Sequence, residues 1–134
     1  MTLPEGLTLK TFDDLIVWTN TTGTVTEQEA KELSQKITEM VSGTNYKAML
    51  VDNRKLKGIW KPEVDKVWIE LMSFLPTKVE KTATLCENVI NKLQLNYLSI
   101  QAGTVDSVKA FIESEEVELL EFIDLPNLDL NSVD

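Results

Sequence analysis

The chain has 134 residues, 43% of them hydrophobic, enough for one domain with a single core and too few for two. Its 22 acidic and 13 basic side chains give a formal charge of −9, which repels phosphate backbones and anionic lipid headgroups, so nucleic acid is not an expected partner. Histidine is absent, removing the commonest general base and metal ligand near neutral pH. One cysteine, Cys86, forms no internal disulfide, and with no basic leader or apolar span in view the expected setting is the reducing cytoplasm, with no integral membrane segment.

In chain order, Leu7 to Phe12 and Leu15 to Trp18 are β-favouring runs joined by Asp13 and Asp14, which predicts an opening hairpin. After Gly23, Thr26 and Glu29 have capping-box spacing. Ala30, Leu33, Ile37 and Val41 then recur on one helical face, with Gly43 as the stop. Tyr46 to Val51 ends in four apolar residues and predicts a central strand buried on both sides. Pro62 suits the first position of a helix whose stripe is Val64, Val67, Trp68, Leu71, Met72 and Leu75, and Pro76 ends it.

Lys81 to Cys86 is the next strand. Asn88 caps a helix carrying Val89, Ile90, Leu93 and Tyr97, which ends by Gly103; the run from Leu95 to Ile100 allows either a continuous helix or a break. The phrase from Val108 to Phe111 opens a short closing strand that leads through Ser114, as a cap, into a helix ending near Ile123. Beyond Ile123 no period is sustained, so residues 124–134 read as a tail, partly docked at most. The whole predicts an α/β fold with a mixed, mostly parallel sheet of about five strands, an N-terminal hairpin and about four covering helices. All of residues 1–134 form one domain with its core at about 7–123. Ligands of such sheets gather at the carboxyl ends of the strands, which would line up Asp52, Asn53, Cys86, Glu87 and Glu113.

The glycine-and-threonine entry at Gly23 to Glu27, the Met49 to Asp52 strand end, and the closing phrase from Val108 to Phe111 with Leu119 to Ile123 resemble, in this order, the SpoIIAA-like branch of the STAS fold. The likeness runs from about Leu7 to Ile123. It implies a non-catalytic domain: anti-sigma-factor antagonists are the best-known relatives, and some SpoIIAA-like proteins are grouped with lipid-binding SEC14-like domains. In the antagonists a phosphorylatable serine follows the strand-end Asp. Here Asp52 is followed by Asn53, Arg54, Lys55, Leu56, Lys57, Gly58, Ile59, Trp60 and Lys61, with no hydroxyl side chain, so that phosphoswitch is not expected.

That same segment is the candidate site. Arg54, Lys55, Lys57 and Lys61 crowd together in an otherwise acidic chain, beside Asn53, and precede a helix whose cap residue, Lys61, brings no acceptor to the free amides. A carboxylate or phosphate would suit them, with Trp60 as an apolar anchor. The plainer alternative is a solvated loop that balances Glu63 and Asp65.

Other features have simpler explanations. Cys86 has no histidine to act as its base and reads as a small buried hydrophobe. The acidic face of Glu113, Glu115, Glu116, Glu118 and Glu121 matches the positive end of its helix. Trp68 reads as core and Trp18 as core or rim, leaving only Trp60 in a loop. The expected function is therefore a module that is not an enzyme and needs no cofactor, binding a protein partner or another copy of itself through the strand-end edge and basic loop. The alternative is a carrier holding a lipid-like anionic molecule among Trp60, Trp68, Met72 and Leu75.

Overall fold

A computed structural model describes residues 7–12, 14–20, 26–43, 46–55 and 60–129, with the backbone alone for 7–10, 12 and 20. Strand β1 (Leu7–Phe12) pairs antiparallel with β2 (Leu15–Asn20), Phe12 facing Leu15 as a tight hairpin requires. From β2 onward the sheet is parallel through β3 (Ala48–Asn53), β4 (Lys81–Cys86) and β5 (Val108–Ile112), giving four parallel strands with β1 added at one edge. The spatial order is simply β1-β2-β3-β4-β5.

Helices α1 (Glu27–Ser42), α2 (Pro62–Phe74) and α3 (Val89–Ala102) make the three crossovers. A sheet that always steps the same way with one crossover hand puts every crossover helix on one face. The core reflects this. Ile16, Trp18, Met49, Val108 and Ala110 pack with the buried residues of α1, α2 and α3 on one side of the sheet. Alternate residues of the same strands, Leu15, Val17, Ala48, Leu50, Ala83, Leu85 and Phe111, form a second cluster with Leu119, Leu120 and Ile123 of the short helix α4 (Glu116–Phe122). Strand β3 is thus apolar on both faces, which is why Met49 to Val51 shows no alternation in sequence. Leu125 and Leu128 of the tail pack against this second cluster.

Local signals explain the helix boundaries. The Thr26 hydroxyl accepts from the Glu29 amide at 3.2 Å while the Glu29 carboxylate accepts from the Thr26 amide at 3.1 Å, closing the capping box of α1. The Asn88 side chain accepts from the Asn91 amide at 2.9 Å to start α3. That helix runs unbroken to Ala102 and is stopped by Gly103 at φ 76°, a left-handed position that glycine takes without strain. Helix α2 ends at Phe74, one residue before a single 3-10 turn that contains Pro76.

Two expectations need correction. Ser114 is not the cap of the last helix: Glu113–Glu115 forms a 3-10 turn, α4 starts at Glu116 without a side-chain cap, and the Glu115 carboxylate instead accepts from the Ile112 amide at 3.1 Å. The larger surprise is α3. Val89, Ile90, Leu93 and Tyr97, the positions that mark it as a helix in the sequence, face outward at 51, 63, 61 and 52% exposure, as does Ile100 at 66%. Its buried positions are Asn91, Leu95, Leu98 and Ser99.

Two polar residues of α3, buried Ser99 and half-buried Asn96, have a definite task on β5, the sheet edge beside the helix. Ser99 Oγ donates to the Val108 carbonyl at 2.7 Å; the Asn96 amide accepts from the Ala110 N–H at 2.8 Å and donates to its carbonyl at 3.3 Å. With Glu115 on the Ile112 N–H and the Thr104 carbonyl accepting from the Val108 N–H at 2.8 Å, five outward backbone groups of residues 108, 110 and 112 have partners, four of them side chains. The edge that would otherwise template another strand is sealed.

Candidate functional site

The carboxyl ends of the parallel strands meet along one edge, because Asn53 stands opposite Cys86 and Cys86 opposite Ile112 in the ladder. Asp52, nearly the last residue of β3, is 5% exposed, an uncommon place for a carboxylate. Its charge is met by Arg54: Nε donates to Oδ1 at 3.0 Å and Nη2 to Oδ2 at 2.7 Å, a two-pronged pairing reinforced by the Arg54 amide on Oδ1 at 3.1 Å. The remaining nitrogen, Nη1, reaches Glu113 Oε1 at 3.2 Å just past the end of β5. One guanidinium therefore spans β4 and ties the exits of β3 and β5 together.

A second ion pair lies near by. Lys92 of α3 donates to both oxygens of Glu115 at 2.7 Å, and that bond, followed by the bond from Ile112 N–H, holds the Glu115 carboxyl below its ordinary value. Of the row expected from the sequence, Asp52, Asn53, Cys86 and Glu113 come together at the strand ends, while Glu87 is exposed. Arg54, however, serves as an internal clasp with its side chain only 20% exposed, while Lys55 and Lys61 stand exposed on the flanks. Lys57 lies outside the described residues.

Trp60 is half-buried and meets Trp68 edge-on, ring centroids 5.8 Å apart at 61°. Both indoles line a cavity of about 60 Å³ between the helices and the sheet, bounded also by Met72, Leu75, Thr84 and Asn53. Neither indole N–H has a hydrogen-bond partner among the described residues. The strand order never reverses among β2 to β5, so these strands form no switch point of the kind that binds ligands in doubly wound sheets.

Cys86 sits in the same row but is fully buried, and burial pushes its thiol up to about 12, so it carries a proton at any physiological pH. No group of three or more Cys, Asp or Glu among the described residues is arranged to hold a metal ion. No helix among them is long and apolar enough to cross a membrane. Comparison with protein-family models, curated proteins and solved structures finds no match. The buried Asp52 and its clasp went unnoticed in the sequence, where the only available signal was the Asp-x-Arg spacing; the outward face of α3 was concealed because its residues fit an inward stripe equally well.

Proposed function

We propose that this chain is a non-catalytic protein-interaction or regulatory module of SpoIIAA-like STAS fold, which contacts a partner or another copy of itself along the strand-end rim formed by Asn53, Lys55, Trp60 and Lys61, with Lys57 between them in sequence. The observation that carries the reading is the clasp of Arg54 on Asp52 and Glu113. It makes a rigid base at a rim that otherwise would end in loose strand exits, and a preordered surface loses less entropy when a partner docks. Exposed Lys55 and Lys61 give that rim a positive flank in an acidic molecule, which steers and orients an acidic partner. A histidine-free chain whose only thiol is buried and protonated gives catalysis little to work with.

The test is the Lys55→Glu/Lys61→Glu variant, which alters exposed charges and leaves the Arg54 clasp intact. Co-purification of a partner from the native cells should be lost while the thermal midpoint holds; retention of the same partner at the same yield would contradict the reading.

A second reading has its own observation. The cavity lined by Trp60 and Trp68, whose indole N–H groups have no partner among the described residues, is where a carrier would hold an apolar molecule with an anionic head. Its volume of about 60 Å³ accommodates a few waters, well short of the roughly 300 Å³ at which ligand pockets begin. A carrier would therefore have to open by moving Trp60. Native mass spectrometry of gently purified protein discriminates: a bound molecule of constant mass favours the carrier, and repeatedly bare protein counts against it.

A further inference from the structure

Helix α3 is apolar on two opposite sides. Leu95 and Leu98 enter the core, while Val89, Ile90, Leu93, Tyr97 and Ile100 stand half to two-thirds exposed on the other side. A contiguous apolar patch on the outside of a helix that already gives its opposite face to the core marks a contact surface more often than bare solvent. Positions 90, 93, 97 and 100 repeat at alternating steps of three and four, the spacing with which one helix seats against another.

The charge pattern says what the cover is. The chain carries 22 acidic and 13 basic side chains, yet the 14 residues of α3 include a single ion, Lys92, and it is neutralised by Glu115. A basic or acidic partner would find its counter-charges on other surfaces. Two copies, each at −9, repel one another wherever they meet, but the cost is least along this neutral strip, and a second α3 supplies an apolar face that leaves no charge unpaired. Strand addition beside the helix is closed off, because Asn96, Ser99 and Glu115 occupy the outer hydrogen-bonding groups of β5. Complete cover of the five exposed side chains, at on the order of 100 Å² each, would bury at most roughly 1,000 Å² over two copies, which fits a weak, reversible dimer.

From these observations we infer that the outer face of α3 is a self-association surface on which two copies of this chain pack helix against helix about a two-fold axis. The contact is isologous, so each residue that docks also receives its counterpart. Its amino-terminal end adjoins the strand-end rim, since Val89 follows Cys86 by three residues, but it uses none of the rim side chains and stands or falls independently of the function proposed above.

Sedimentation velocity of the full chain from low to several hundred micromolar tests it. The wild type should shift reversibly from monomer to dimer, and Leu93→Glu should weaken dimerisation at least about tenfold by placing a charge in the apolar seam, with an unchanged circular dichroism spectrum and melting midpoint. The Lys55→Glu/Lys61→Glu variant should dimerise like the wild type. A wild type that stays monomeric throughout would overturn the inference. So would a Leu93→Glu variant that dimerises normally, or a dimer lost only when the rim lysines are reversed.

Discussion

Asp52 and Arg54, two residues apart in the chain, face each other in a closed two-pronged ion pair with contacts of 2.7 and 3.0 Å, where the carboxylate is almost wholly shielded from water. A buried carboxylate that loses its cation keeps its desolvation cost and loses its compensation. Arg54→Met should therefore cost about 2–3 kcal/mol in urea unfolding, and the double variant with Asp52→Asn should recover part of that loss. Equal stability of Arg54→Met and wild type would show that the clasp carries no weight.

The sealed edge of β5 makes a second expectation. Asn96→Leu removes both bonds to Ala110 and leaves its N–H and carbonyl without their side-chain partners, at about 1–2 kcal/mol. Because an unsealed edge templates further strands, the variant should also form thioflavin-positive aggregates on warming at concentrations where the wild type stays clear. Unchanged stability together with unchanged aggregation would show that the edge is protected by something else.

The Lys92 and Glu115 pair predicts a pH dependence with a defined sign. Its carboxyl is depressed in the fold, first by the bond from Lys92 and then by Ile112 N–H, so it adds stability above its unfolded value of about 4.5 and forfeits it as pH falls through the folded one. Glu115→Gln should thus be less stable than wild type by up to about 1 kcal/mol at pH 7, with the gap closing towards pH 3. A gap that is constant with pH would assign the effect to packing.

Cys86 should behave as a core residue. With the thiol fully buried and pushed up to about 12, native protein at pH 8 should react with a thiol reagent at least about a hundredfold more slowly than denatured protein. Rapid labelling of the folded chain would mean that the strand-end row opens to solvent.

Much of this architecture was legible in the sequence because local chemistry and burial agree there. Thr26 with Glu29, Asn88, Pro62 and Gly103 set helix ends by hydrogen bonds or backbone constraints that act within four residues, and these hold in the structure. Strand β3 announced itself by its apolar run from Ala48 to Val51. The orientation of α3 was not legible, since a stripe of Val89, Ile90, Leu93 and Tyr97 satisfies helical periodicity whichever way it faces; Asn96 and Ser99 turn inward because β5 needs edge partners, a long-range demand without a local trace. The candidate site divides in the same way. Clustering of Arg54, Lys55 and Lys61 was plain, whereas the diversion of Arg54 into the Asp52 and Glu113 clasp depends on two strand ends meeting across the sheet.

The central claim is that the strand-end rim is where this protein meets its partner, and photo-crosslinking in the native cells tests it most directly. A photoreactive residue substituted at Lys55 or at Lys61 should capture one and the same protein, and a residue at exposed Glu32 on α1 should not. Capture from Lys55 should vanish when Lys61→Glu is added. Rim positions that yield nothing beyond the Glu32 control would contradict the account.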